Sequence, residues 1–350
     1  MNIILDIFNY VFVAIIIGVA STWVVLIRSM LRTFHDAPFL DKFEKKVHEK
    51  PKVSIILPAR NEEKFIGKCL DSLLDQDYDN YEIIAINDSS EDSTAEIIKK
   101  YEKKFSKVIL VDAKSKPEGW VGKNWACMEG YKKSTGNLLL FTDSDTVHAS
   151  SVISLAVSHL LSLELDALTV IPRMLCLDPI TKITLPMISV FLHTRFSALR
   201  VNDKSKNTGY FFGSFFIIKK TTYDSIGMHE GVKEELIEDG ALGKLVKESG
   251  FKMKMVRGEH LIDAVWARDK HTLWNALKRL MIPLYLQNAK IAVGSFFGVL
   301  FLLFMPFPIL AHSIFFVNTT ISSSILLIVS AIASLLVYTG SILDATKGLD

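Results

Sequence analysis

The feature that most constrains this chain is the run from Ile3 to Ile27, "IILDIFNYVFVAIIIGVASTWVVLI", in which Asp6 is the single charge. About 25 residues at roughly 1.5 Å of helical rise each are ample to cross a hydrocarbon core of about 30 Å. Lipid offers a backbone no hydrogen-bond partners, so a run of this kind must satisfy itself as a helix. A cleavable leader is the competing reading; it fits badly, because no basic residue precedes the run and the apolar stretch is too long. Arg28, Arg32, Lys42, Lys45, Lys46, Lys50 and Lys52 follow it. The positive-inside rule therefore puts the N-terminus outside and what comes next in the cytoplasm of a cell-membrane protein.

A second apolar region lies near the C-terminus. "IAVGSFFGVLFLLFMPFPILAHSIFFV" (Ile291 to Val317) holds no Lys, Arg, Asp or Glu, and another apolar run covers Ile321 to about Ile342. We expect a transmembrane hairpin over residues 291–342, its first arm kinked by Pro306 and Pro308, and a cytoplasmic tail over 343–350. The sequon Asn318-Thr319-Thr320 lies too close to the membrane to be used. Just upstream, "HTLWNALKRLMIPLYLQNAK" mixes Trp274, Leu277, Leu280, Met281 and Leu284 with Lys278 and Arg279. Residues 261–290 read as a helix region lying in the membrane interface, with an ordinary amphipathic core helix as the alternative.

These ends explain why hydrophobic residues make up 49% of the 350. The formal net charge of +2 gives no global sign of a nucleic-acid partner. Cys69, Cys127 and Cys176 stand far apart, with neither the pairing of a disulfide framework nor the spacing of a zinc site.

After a transmembrane helix over 1–30 and a basic linker over 31–50, residues 51–260 have ordinary globular chemistry. "KVSIILPA", "YEIIAIND", "KVILVDA" and "NLLLFTDSD" read as strands, separated by the helical patterns "EEKFIGKCLDSLLDQ", "STAEIIKKYEKKF" and "NWACMEGYKKS". Short apolar runs alternating with amphipathic helices imply an α/β fold with a largely parallel sheet covered on both faces. Ligands in such folds sit beyond the carboxyl ends of the strands. Three polar motifs fall at those ends: Pro58-Ala59-Arg60-Asn61-Glu62, Asn87-Asp88-Ser89-Ser90-Glu91-Asp92 and Thr142-Asp143-Ser144-Asp145. No GxGxxG or GxxxxGK[ST] string is present, so dinucleotide and P-loop readings have no support.

"VSIILPARNEE", "YEIIAINDSSEDST", "LLLFTDSDT" and "EELIEDGALGKLVKESGF", in that order, resemble a family 2 glycosyltransferase of the GT-A fold (a nucleotide-diphospho-sugar transferase fold). The resemblance is to the membrane-anchored branch that includes ceramide glucosyltransferase-like, hopanoid-associated and carotenoid glycosyltransferases. It covers roughly Lys52 to Arg279. It implies a nucleotide-sugar donor, UDP-linked in most of the family, and a divalent cofactor, Mg²⁺ or Mn²⁺, since hard oxygen ligands suit a cation that balances a leaving diphosphate. By resemblance, Asp143-Ser144-Asp145 is the DxD motif, with Asp145 on the metal and Asp143 near the ribose or metal. Asp88 would read the nucleobase, and Pro58, Arg60 and Glu62 would pack around base and ribose. Lys123 in "EGWVGKNWA" is either a diphosphate contact or a surface lysine. Inverting transfer needs a carboxylate to take the acceptor proton. By the same resemblance "IEDGAL" supplies Asp239 as that base, with Glu238 as the neighbour that raises its pKa; the alternative is a charged helix N-terminus, since Glu234, Glu235, Glu238 and Asp239 crowd the same stretch.

The chain departs from processive polysaccharide synthases, for it has no QxxRW string. We therefore expect single transfer to a hydroxyl of a membrane lipid at the cytoplasmic face. The alternatives are a polyprenyl-phosphate glycosyltransferase, a polysaccharide synthase relative, or a nucleotide-binding scaffold without turnover. "ITKITLPMISVFLHTRFSALRV" (Ile180 to Val201) and "YFFGSFFII" (Tyr210 to Ile218) read equally as a lipid entrance or as core.

Overall fold

The computed structural model describes residues 2–42, 49–182, 195–316 and 320–347. The chain divides into two compact units, one of residues 36–177 with 196–268, the other of residues 1–35, 178–195 and 269–348.

The first unit is built on ten strands: β1 (Val53–Ala59), β2 (Tyr81–Asn87), β3 (Val108–Asp112), β4 (Leu138–Phe141), β5 (Thr146–His148), β6 (Ala167–Ile171), β7 (Arg173–Cys176), β8 (Phe216–Lys219), β9 (Met253–Arg257) and β10 (Ile262–Ala267). Seven form one sheet in the order β3-β2-β1-β4-β8-β6-β9. Every residue of β1 is buried, the signature of a strand covered on both faces. Its side chains alternate, as a pleated strand must: Ile55 and Leu57 join one core with Ile83 and Leu140, while Ile56 joins the other with Ile84 and Leu139. Helices Ile66–Leu74 and Gly122–Tyr131 follow β1 and β3 as the periodicity predicts.

All neighbours in this sheet are parallel except β8, which runs antiparallel to both β4 and β6. That reversal matters for the site. Phe141 pairs with Phe216, so the residues leading into β8 lie at the same edge as the carboxyl ends of β1, β2 and β4. Tyr210–Ile218 thus belongs to the core and the site edge, with Phe211, Phe215 and Ile217 fully buried. Of the other stretch read as a lipid entrance, residues 183–194 lie outside the described residues, and Ala198 and Val201 are buried.

A smaller sheet, β5-β10-β7, completes the unit. β10 pairs with β5 so that the Val265 N–H meets the Asp145 carbonyl at 3.4 Å. The chain leaving β10 therefore emerges beside the acidic turn. Phe39 lies along β9, with Leu40 N donating to Arg257 O and Arg257 N to Pro38 O, each at 2.8 Å.

The second unit is helical: Asn2–Asp36, Lys270–Gln287, Ala289–Leu303, Pro306–Phe316 and Ile321–Lys347. Asp6–Asp36 and Ile321–Leu343 are each long and apolar enough to cross a membrane. Ala289–Leu303 and Pro306–Phe315 meet at a 49° bend. The bend falls where proline dictates, since Pro306 has no N–H for the carbonyl four residues earlier, that of Leu302. Trp23 supplies the missing donor, its indole N–H reaching Leu302 O at 2.8 Å. Gly340 admits the ring, for a Cβ there would come within 2.2 Å of it. Asn9 donates to Ser322 Oγ at 3.0 Å, and Ser322 in turn to Asp6. On Lys270–Gln287, Trp274 is exposed and Lys278 lies 5.7 Å above its ring; the side chains of Leu280, Met281 and Leu284 lie outside those described. Asn318 and Thr319 are likewise outside.

Candidate active site

β4 ends at Phe141, and the next residues are pinned before the chain turns. Thr142 Oγ1 donates to Ser214 O at 2.7 Å and Thr146 Oγ1 to Asp143 O at 2.7 Å. With the Thr142 proton so committed, the His148 Nε2 at 3.1 Å must be the donor to it. Burial pushes the His148 pKa down to about 4, so the ring is neutral. This network fixes the backbone that carries Asp143 and Asp145, with Ser144 buried between them.

Each of the two carboxylates has a cation of its own. Asp143 Oδ1 pairs with Lys123 Nζ at 2.7 Å. Asp145 Oδ2 lies 3.3 Å from Arg268 Nη2, which also pairs with Glu62. Burial pushes the Asp145 pKa up to about 7, helped by the charges of Asp143 and Glu62 and opposed by Arg268. Glu62 is raised as well, first by burial.

Lys123, at the start of the Gly122–Tyr131 helix, also pairs with Glu238 Oε1 at 2.7 Å. Glu238 and Asp239 open the helix Glu238–Glu248. Two glycines bring that helix in: a Cβ on Gly209 would meet the Gly243 carbonyl at 1.9 Å, and one on Gly243 would meet Phe211 N at 2.6 Å. Backbone packs directly on backbone. The preceding loop is tied down by Asn124, whose amide donates to the carbonyls of Val232, Lys233 and Glu235 at 2.7, 3.2 and 3.0 Å. Asp239 then accepts from the N–H groups of Gly213 and Gly240, both at 2.7 Å. Burial opposes the Lys123 charge, yet Asp143, Glu238 and Asp239 outweigh it and hold its pKa well above the usual value. The Asp239 pKa is pushed up to about 7, first by burial and then by Glu238.

The remaining predicted residues sit around this cluster. Pro58 lines a cavity together with Lys123, Asp143, Gly213, His229 and Glu238. Asp88, at the end of β2, approaches Gly122 and lies 3.9 Å from exposed Arg60; burial raises its pKa against the pull of Arg60. The loops after β1 and β2 brace each other: Asn61 Oδ1 accepts from Glu91 N at 2.9 Å, and Glu62 N donates to Thr94 Oγ1 at 2.7 Å. Asn61 takes φ 56° to do so, a left-handed conformation that asparagine tolerates.

The structure thus gathers Asp143, Lys123, Glu238, Asp239 and Pro58 in one cluster, Asp145 and Glu62 in an adjoining one, and Asp88 with Arg60 at the next strand end. Lys123 stands between the Asp143 and Glu238 carboxylates, with 36% of its side chain exposed. Sequence reasoning missed Arg268, Gly213, Asn124 and His229. Only Gly213 left a signal, a lone glycine in an aromatic run. Among the described residues no group of three or more His, Cys, Asp or Glu forms a metal cage. Asp143 and Asp145 are hard oxygen donors that fit a divalent ion taking its other ligands from water and phosphate. The guanidinium seated on Asp145 marks that position as one that attracts a cation.

A family model described as "Glycosyl transferase family 2" matches residues 54–227. A 4,4'-diaponeurosporenoate glycosyltransferase of Staphylococcus haemolyticus is 27% identical over 249 residues, 69% of this chain and 64% of that protein. Its namesake in Staphylococcus aureus strain USA300 is 29% identical over 212 residues, 59% of this chain and 54% of that one. The chain therefore spans between half and two thirds of the length of these curated relatives. The mannosyltransferase PcManGT from Pyrobaculum calidifontis, solved with GDP-Man and Mn²⁺, superposes with a TM-score of 0.60 over 97% of this chain and 99% of that one. At 18% identity this likeness speaks for the fold alone, which is GT-A. Residues 54–227, which carry the motif-bearing ends of β1, β2 and β4, are the segment that matches glycosyl transferase family 2.

Proposed function

We propose that the protein is an inverting, metal-dependent glycosyltransferase that moves a single sugar from a nucleotide-sugar, UDP-linked by preference, to a hydroxyl of a membrane lipid at the cytoplasmic face. The observation that carries the reading is the convergence of Asp143, Lys123 and Asp239 on Gly213. A Cβ on that glycine would lie 2.9 Å from Asp239 Oδ2, 3.2 Å from Asp143 Oδ2 and 3.2 Å from Lys123 Nζ. A base, a cation and a DxD carboxylate therefore surround one small space.

In this reading Asp143 and Asp145 would hold Mg²⁺ or Mn²⁺, a cation that would supply charge stabilisation to the departing diphosphate. Lys123 adds a fixed positive charge beside Asp143. Asp88 and Arg60, with Pro58, receive the nucleoside. Asp239 takes the proton of the acceptor hydroxyl as its oxygen attacks the anomeric carbon from the face opposite the leaving group. An aspartate near its ordinary pKa of about 3.9 is a weak base. One raised to about 7 by burial and Glu238 is matched to neutral pH. The two long apolar helices anchor the enzyme beside its lipid substrate.

One observation favours a second reading. The relatives are named for a carotenoid acid, and an acceptor that is already an anion, carboxylate or phosphate, needs no base. Asp239→Asn separates the two, with about a 10²–10⁴-fold loss for a hydroxyl acceptor and only a partial one for an anion.

The test uses the full chain in detergent, labelled UDP-glucose, UDP-galactose or GDP-mannose, and a lipid extract, with Mn²⁺ or EDTA. Label in the organic phase only with Mn²⁺ is expected. Label that persists in EDTA overturns the metal clause, and none from any donor overturns transfer.

A further inference from the structure

Arg268 is held in a way the reaction outlined above does not use. Its guanidinium pairs with Glu62, lies 3.3 Å from Asp145 Oδ2 and stacks 4.4 Å above the ring of Phe65. It is enclosed by the site: 30% of its side chain is exposed, against 16% for Glu62 and 20% for Asp145. The Glu62 backbone is itself fixed by Thr94. Arg268 therefore has a firm anchor on one side and a looser, longer contact with the DxD carboxylate on the other. Asp143 does not share it, being paired with Lys123.

We propose that Arg268 is an internal counter-cation for Asp145, which keeps a divalent ion off that carboxylate until a nucleotide diphosphate arrives. This rests on the metal-dependent reading above. A guanidinium on Oδ2 and a divalent ion on the same carboxylate repel, so the ion binds Asp145 more tightly once the guanidinium has turned away. A diphosphate gives it a reason to leave, for its phosphoryl oxygens offer the two-pronged anionic contact that the planar guanidinium prefers. Glu62 and Phe65 keep the side chain in place during the exchange, so that it need only turn away from Asp145. Metal and nucleotide then bind with positive coupling, each favouring the other by the same factor. Free ions at cellular concentration are turned away, and the site fills when the donor is present.

The experiment measures Mn²⁺ affinity, by electron paramagnetic resonance of free Mn²⁺, for the full-length protein in detergent, with and without UDP or GDP. In the wild type, Mn²⁺ alone should bind weakly and nucleotide should tighten it, by about 5–150-fold for couplings of this kind. Arg268→Gln should bind Mn²⁺ alone about tenfold more tightly and lose most of the nucleotide effect. Arg268→Lys, which keeps the charge, should stay as weak as the wild type and shows that the site is folded. Melting temperatures of both variants accompany the titrations. Equal Mn²⁺ affinity in wild type and Arg268→Gln, with nucleotide coupling unchanged, overturns the assignment to Arg268 alone. Absence of Mn²⁺ binding in every form, even with nucleotide, overturns it together with the metal-dependent reading.

Discussion

Gly213→Ala isolates the geometry of the cluster from the stability of the fold. The new methyl would lie 2.9 Å from Asp239 Oδ2, and 3.2 Å from both Asp143 Oδ2 and Lys123 Nζ, where ordinary contacts begin at 3.4 Å. Asp239 must then retreat by about 0.5 Å, the difference of those distances. It cannot do so freely, because the Gly213 and Gly240 N–H groups hold its two oxygens at 2.7 Å each. Misplacement of a catalytic group by about 1 Å costs on the order of 100-fold. About half that displacement predicts a fall of about 10-fold in kcat/KM, or about 1.4 kcal/mol of transition-state stabilisation. Stability should barely change. Gly213 is not among the residues with positive φ, so alanine fits the backbone and removes some unfolded-state entropy, worth about 0.4–1 kcal/mol. Initial rates of label transfer beside a thermal melt test both halves. Activity within about twofold of wild type in a protein that melts normally would refute the convergence on Gly213. A collapsed melting temperature would equally refute the claim that the glycine serves the site and not the fold.

Other perturbations follow from the same contacts. Below its pKa of about 7 Asp239 is protonated and cannot accept a proton, so kcat/KM should rise with pH through that value. Glu238→Gln removes the second cause of the shift, and the acid limb should move to lower pH; a limb that stays in place refutes the coupling. Asn124→Ala should cost about 1–3 kcal/mol in chemical unfolding, since it strips donors from the loop that leads into Glu238, and should lower kcat more than donor KM. In the helical unit, Trp23→Phe removes the donor to the carbonyl that Pro306 leaves bare, which predicts a loss of about 0.6–1.7 kcal/mol in detergent unfolding. That loss should shrink in a Pro306→Ala background, where the helix can satisfy Leu302 itself; strict additivity of the two substitutions would refute the pairing.

What could be read from the amino-acid chain, and what could not, divides along physical lines. β1, β2, β3 and β4 were legible because strands flanked by helices in a parallel sheet appear as near-continuous apolar runs. The carboxylates were legible because charge at the end of such a run is costly unless something uses it. β8 was not. "FFIIK" reads the same whichever way the strand runs, and only its pairing of Phe216 with Phe141 turns it antiparallel and delivers Gly213 to Asp143. The partners of the carboxylates were hidden for a related reason. Arg268 lies 123 residues from Asp145, and the β10 pairing brings it there; an arginine just before an apolar helical region otherwise reads as an interface charge. A sequence thus shows where negative charge is placed more readily than what balances it. The omission changes how mutagenesis must be read. Asp145→Asn would remove a carboxylate oxygen and also take one carboxylate partner from Arg268, so lost activity would mix a missing ligand with a displaced cation. The double variant Asp145→Asn/Arg268→Gln separates the two: turnover stays lost with the ligand, while nucleotide affinity, which the released guanidinium supports in the single variant, should fall when the second substitution removes it; affinity that does not fall refutes the diphosphate contact.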